Sequence, residues 1–263
     1  MQETMDETLT YIDSHFHMLS IKEKGSDVAS IMDEMDRIGM EGIDIGTVAD
    51  DLPERRKLLS GRSYALSAGI GPWGVGQDVK VLERMITKYG PVCAIGEIGL
   101  DNHWKDYADP GKQEALFLAQ VELAASLGLP TILHVRDADE QIRYILQSHT
   151  FPRMGIMHCF EGERETCFLG LDKGFYISFS GVITYKGNAW MEDIVRMVPD
   201  DRLLLETDSP YLAPVPLRGK RNIPPYIVHT YREVARIRGT SVGDLATTTK
   251  ANLHAFVSQA HIS

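Results

Sequence analysis

Two histidines with one residue between them, His15 and His17, stand in Asp13-Ser14-His15-Phe16-His17 near the start of a 263-residue chain. On a β-strand, side chains alternate between faces, so both imidazoles point one way and Asp13 joins them. An imidazole pair on one face suits a metal ion. Four more residues of matching chemistry close later apolar runs: Glu97 in Ile95-Gly96-Glu97, His134 in Leu133-His134-Val135-Arg136, His158 in Met157-His158-Cys159, and Asp208 in Leu205-Glu206-Thr207-Asp208. Acids and imidazoles brought together in a protein interior cost several kcal/mol unless a cation organises them. Six donors exceed the needs of one tetrahedral zinc and match two ions that share a carboxylate. Glu97, between the first pair and the later histidines, is the bridge. One site is then His15, His17, Glu97 and Asp208; the other is Glu97, His134 and His158. Mixed nitrogen and carboxylate donors accept Zn, Mn, Co, Ni or Mg.

Such donors meet only if separate elements carry them to one rim. Short β-branched or apolar runs at 10–15, 42–48, 64–70, 92–97, 131–135, 155–158, 175–178 and 203–207 read as eight strands. Helix-like segments follow at 28–38, 51–59, 79–89, 111–127, 139–147, 163–171, 191–197 and 225–238, with a last one at 242–257. Eight strand–helix units predict a single-domain (β/α)8 TIM barrel over residues 1–263. The metal site would sit on the rim at the strands' C-terminal ends, where barrels of this kind place their chemistry. A doubly wound sheet would call for a glycine-rich turn after the first strand, and Asp13–His17 stands there instead.

Composition narrows the functions. Formal net charge is −10, the opposite of a protein that grips nucleic acid along a broad basic face. Two cations against two carboxylates would still leave a positive pocket for a phosphate oxyanion. The first nine residues are acidic and unlike a targeting segment. No apolar run nears the roughly 20 residues that span a membrane. Cys93, Cys159 and Cys167 form no CxxC pair and read as small buried hydrophobes in a reducing compartment. A cytoplasmic location is expected, with no obligate protein partner.

The segments DSHFH, AIGEIGLD, ILHVRDA, GIMHCFEG, FSGVITYKG, LLLETDSPYLAPVPLRGKRNIP and TTTKANLHAF, in that order, closely resemble the TatD-related family of metal-dependent deoxyribonucleases. The resemblance runs nearly end to end. It implies a TIM barrel, hydrolysis of DNA (in several members as a 3′–5′ exonuclease) and metal ligands at His15, His17, Glu97, His134, His158 and Asp208. Three loops depart from the family pattern. Gly69–Gly74 lacks a histidine, Met18-Leu19 follows the first motif, and Asn102-His103 follows Gly-Leu-Asp.

The expected chemistry is attack on phosphorus by a water whose pKa a cation lowers to about 7. Asp208 is the expected proton acceptor beside the bridging Glu97. Glu206 shares its strand parity and is given a supporting place, and Asp13 is expected to orient a metal histidine. Arg136, with the parity of His134, is expected to bind phosphate. Lys186, Arg218, Lys220 and Arg221 lie in late loops where barrels often hold phosphates. Trp73 and His103 are read as pocket residues, Trp73 as a surface for a base and Tyr211 rather as packing. His149, His229, His254 and His261 are read as structural or exposed. The substrate would be DNA or another phosphodiester bound locally at the metals. Two other readings remain: an amidohydrolase-type ester or amide hydrolase, such as a deacylase of aminoacyl-tRNA, and a non-catalytic metal scaffold.

Overall fold

A computed structural model describes residues 9–104, 109–151 and 153–261 of the chain. The acidic stretch at 1–8 and the side chain of His261 lie outside them. Eight parallel strands hydrogen-bond in chain order: β1 Ile12–Phe16, β2 Glu41–Asp44, β3 Ala65–Ala68, β4 Ala94–Asp101, β5 Thr131–Arg136, β6 Ile156–Met157, β7 Tyr176–Phe179 and β8 Leu203–Leu205. Most of their residues are buried, as in strands covered on both sides. One hydrophobic core runs from Tyr11 to Phe256 and joins the barrel interior to the helical coat.

The last strand returns to the first just beyond its own ladder. The Asp208 N–H donates to the His15 carbonyl (2.9 Å) and the His17 N–H to the Ser209 carbonyl (2.9 Å). Ser14 Oγ donates to the Leu205 carbonyl (3.1 Å). These bonds close the expected TIM barrel, and His15, His17 and Asp208 of the donor set lie at that seam.

Helices follow the strands: α1 Met18–Glu23, α2 Val28–Arg37, α3 Leu52–Leu58, α4 Val79–Tyr89, α5 Pro110–Leu127, α6 Asp139–Ser148, α7 Arg164–Asp172, α8 Met191–Met197, α9 Ile227–Arg238 and α10 Val242–Ser258. Several begin where a short polar side chain caps free N–H groups. Asp27 accepts from Ser30 N, Asp78 from Lys80 N, Asp109 from Gly111 N and Lys112 N, and Ser241 from Asp244 N. Among the described residues no helix is long and apolar enough to cross a membrane.

Two departures from the sequence reading bear on function. The first is α1, which local pattern does not predict. It starts directly after His17 because the Met18 N–H donates to Asp44 Oδ2 (2.8 Å), which turns the chain off the strand and buries Met18 and Ile21. Asp44 is itself fully buried against Arg55, whose Nε donates to it at 2.6 Å and whose Nη1 reaches Asp51 and the Ser67 carbonyl. The second departure is β4. Expected to end at Glu97, it runs four residues further, to Asp101. The extension pairs with β5 through Gly99 and His134. A Cβ at Gly99 would stand 2.0 Å from the His134 carbonyl oxygen, so only glycine allows this approach.

Candidate metal centre

The six expected donors converge on the rim. His15 Nε2 lies 2.7 Å from Glu97 Oε2 and 3.1 Å from His17 Nε2, and His17 Nε2 is 3.3 Å from Asp208 Oδ1. Across Glu97, His134 Nδ1 lies 3.0 Å from His158 Nε2. These two nitrogens are 3.8 Å and 3.7 Å from the Glu97 oxygens. The donor atoms of His15, His17 and Glu97 all fall within 4.8 Å of one another, and so do those of Glu97, His134 and His158. Two sets therefore share one carboxylate. His15, His17, Glu97 and His158 are buried, and Asp208 and His134 are nearly so.

The donor set fits divalent cations. Two imidazole nitrogens aimed at each other within about 3 Å repel through their lone pairs unless a proton or cation lies between them, and this occurs twice. Glu97 Oε2 is buried and close to His15, yet it makes no aligned hydrogen bond. A buried carboxylate oxygen left so is costly without a cation. Burial would raise the Glu97 carboxyl, but His158, His15 and His17 together hold it well below the usual carboxylate range. Burial would likewise lower His158, but Glu206 and Glu97 outweigh it and push the ring up to about 9. The cluster thus favours ionised carboxylates and added positive charge.

Outer contacts set which ring nitrogen faces inward. His17 Nδ1–H donates to the Ile45 carbonyl (3.3 Å), and His158 Nδ1–H donates to Glu206 Oε1 (3.1 Å). The expected support from Glu206 is thus directed at His158. His134 is turned the other way: its Nε2–H donates to Asp101 Oδ2 at 3.1 Å and leaves Nδ1 facing the cluster. Asp101 escapes the sequence reading. It shares strand parity with Glu97, but only on a strand that continues past Glu97.

Asp13 corrects the reading given to it. Its carboxylate accepts from the Thr207 N–H and hydroxyl and from the His15 N–H, and touches no imidazole. Burial, against those bonds, pushes it up to about 8. Its work is to tie the residues after β8 to β1. Cys159 also departs from expectation. Cys93 and Cys167 are buried, but Cys159 is only half-buried and lines the cleft, with Sγ 3.1 Å from Ser180 Oγ.

Over the donors opens a cleft of about 820 Å³. Trp73, His103 and Arg136 line it as expected, and so does Tyr211, against its reading as packing. Trp104, Trp190 and Glu161 line it unforeseen. Lys186, Arg218, Lys220 and Arg221 stand outside its walls. Arg218 lies over the Tyr185 ring (4.3 Å), and Arg221 donates to Ser26 Oγ. Asp137, Cys159, Asp208 and Leu212, all in the walls, are non-glycine residues with φ between 44° and 53°. That conformation costs on the order of 1–3 kcal/mol each and concentrates where a site over-determines the backbone.

Comparison with known proteins agrees with this geometry. The family profile described as TatD related DNase matches residues 12–258. The chain is 36% identical over 253 residues to an Escherichia coli K12 protein, YcfH, named an uncharacterized metal-dependent hydrolase; the alignment covers 92% of this chain and 93% of that one. It is 34% identical over 226 residues to the E. coli K12 protein named 3'-5' ssDNA/RNA exonuclease TatD, covering 82% and 86%. The crystal structure of an E. coli K12 TatD homologue, YJJV, superposes with a TM-score of 0.83 at 24% identity over 94% of this chain and 97% of that one.

Proposed function

The chain belongs to the TatD-related DNase family, and from that premise we propose that it hydrolyses phosphodiester bonds of DNA with two divalent cations, acting as a 3′–5′ exonuclease. The observation that carries this reading is the pair of donor sets sharing Glu97. His15, His17, Glu97 and Asp208 would hold one ion, and Glu97, His134 and His158 the other. Bound there, the ions supply charge stabilisation of the phosphoryl oxygens and lower the pKa of the attacking water.

The chain's own residues do the rest. Arg136, exposed on the cleft wall at the end of β5, offers a planar guanidinium to a phosphate oxygen. Asp208, on the wall beside His17, accepts the proton that the attacking water gives up. Glu206 accepts the His158 Nδ1–H, and Asp101 the His134 Nε2–H; each keeps a ring from turning its lone pair away. Three unpaired thiols support a reducing, cytoplasmic location.

The test is digestion of end-labelled single- and double-stranded DNA by metal-loaded protein. Label is expected to shorten from the 3′ end, and Glu97→Ala is expected to lower the rate by about 10³-fold or more, as several kcal/mol of charge stabilisation goes. Undiminished cleavage by that variant would remove Glu97 from the bridge. Turnover of carboxyl esters or amides with none of DNA would instead mark an amidohydrolase-type enzyme, and full metal content without any turnover a scaffold.

A further inference from the structure

The two halves of the cleft rim differ in charge, and the difference bears on the path of a substrate strand; its use rests on the phosphodiesterase reading. The ends of β4, β5 and β6 and the turns after them put Asp101, Asp137, Asp139 and Glu161 into the walls, and Arg136 there is drawn over the Trp104 ring (5.9 Å). The turns after β7 and β8 are the reverse. Residues 180–190 and 209–226 contain Lys186, Arg218, Lys220 and Arg221 and no acidic side chain, in a chain whose net charge is −10.

Contacts join these cations into one ledge. Arg218 lies over the Tyr185 ring (4.3 Å), next in the chain to Lys186. The Val215 N–H donates to Thr184 Oγ1 (2.8 Å) and the Tyr185 hydroxyl to the Ala213 carbonyl (3.0 Å), which laces the two turns together. Arg221 donates to Ser26 Oγ (3.1 Å) and so brings the turn between α1 and α2 alongside. Lys24 of that turn lies over the Tyr211 ring (4.0 Å), and Tyr211 and Leu212 line the cleft. The ledge therefore runs outward from the cleft wall.

All five cations are exposed. Elsewhere on the surface long cationic side chains lean on acids: Lys22 on Glu54, Arg62 on Asp33, Arg143 on Glu163. Among the described residues the five on the ledge are in no ion pair. Lys24 and Arg218 rest on rings and Arg221 on a hydroxyl, contacts that hold a cation without cancelling its charge. Glu23 and Asp27 flank Lys24 in the chain, and Asp27 is turned to the Ser30 N–H as a helix cap. A row of uncancelled cations repels itself and is relieved by a polyanion. A cleft of about 820 Å³ has the size of a small-ligand pocket, so it takes the end of a strand and the remainder must leave over the rim. The acidic half repels that remainder and the ledge attracts it.

We propose that the ledge of Lys24, Lys186, Arg218, Lys220 and Arg221 carries the backbone of a single polynucleotide strand whose end lies at the donor cluster. It holds phosphates and not bases, so it favours long strands over short ones and leaves sequence unread.

The experiment measures binding and hydrolysis of thymidine strands by the metal-loaded full chain. The binding probe is a fluorescent 12-mer with phosphorothioate linkages, which resist cleavage. Raising salt from about 50 to 200 mM should weaken its binding on the order of 10²-fold, the slope of about five phosphate contacts on a single strand. In Lys24→Gln/Arg218→Gln/Lys220→Gln the same change should cost only about tenfold, because about two contacts remain. Lys220→Gln alone, at a side chain with no hydrogen bond or ion pair among the described residues, should flatten the slope by about one contact. An ordinary 12-mer should exceed the dinucleotide in kcat/KM by about tenfold or more at low salt, and the triple variant should close most of that gap. Lys88→Gln removes an exposed lysine that lies over the Tyr89 ring on α4, and it should change neither quantity.

A parent slope below about threefold, that of one phosphate contact, would overturn the proposal. So would ledge variants that bind the strand as the parent does, or a loss in Lys88→Gln as large as in the triple variant. Any of these with diesters still cleaved sinks the ledge alone. No cleavage of any diester, methyl p-nitrophenyl phosphate included, would take the phosphodiesterase reading down with it.

Discussion

Asp101 divides its carboxylate between two tasks. Oδ2 accepts from His134 Nε2, while Oδ1 accepts from the backbone N–H groups of His103 and Trp104, and Gln113 clasps its main chain from α5. A donor ring and a wall of the cleft are thus held by one side chain. Outer contacts of this kind are worth about 10–100-fold in metal affinity. Asp101→Ala should lower by that factor the affinity for an ion held by Glu97, His134 and His158, while Asp101→Asn, which keeps an acceptor, should lose less. Competition with a chromophoric chelator measures this, and equal affinities in all three proteins would show that the contact sets nothing. The six donors themselves are readable from the chain because each is a metal-binding residue type closing an apolar run. The partner of a carboxylate is harder to read: Asp13 shares its strand face with the histidines, but backbone groups of Thr207 and His15 reach it first.

β2 serves β1 from behind. Its Asp44 holds the Met18 N–H, and Ile45 just beyond it accepts from His17 Nδ1, so the His17 ring and the peptide that follows it are clamped by one neighbouring strand. Arg55 on α3 keeps Asp44 in place while itself only 1% exposed. Removing one member of a buried pair costs about 3–5 kcal/mol because the other charge is left without its partner. Arg55→Met should therefore lower the urea unfolding free energy by that amount. Adding Asp44→Leu should recover part of it but not all, since the Met18 N–H would then lack its acceptor at about 1–3 kcal/mol. An Arg55→Met protein as stable as the parent would refute the clamp. Periodicity discloses all eight strands and the helices from α2 to α10, because each buries an apolar stripe. It does not disclose α1 or the length of β4. α1 depends on an acceptor that comes from a different strand, and the β4 extension depends on two strands touching through Gly99; neither contact is written in local pattern.

At the scale of the molecule, donors from five different strands or the turns after them, β1, β4, β5, β6 and β8, meet at one rim. A bound cation therefore ties distant parts of the chain together. Ligands that bind only the folded state stabilise it by mass action, by about 2.7 kcal/mol at a hundredfold excess over Kd. For a chain of this size that is a rise of about 5–10 °C in Tm. Calorimetry of chelator-treated protein before and after adding Mn or Zn measures it, and an unchanged Tm would mean that no ion enters the cluster. The fold is legible at this scale because eight alternating units admit few arrangements. The cleft walls are not, because loops of unrelated sequence position build them.

The seam between the two ends of the chain has one more consequence. Of the six donors, His15 and His17 come first along the chain and Asp208 last, and their contact forms only when the residues after β8 dock on β1. A nascent or C-terminally shortened polypeptide can have most of its helices in place and still present half a cation cage. Competence of the full donor set to hold a cation is thus deferred until the barrel is complete.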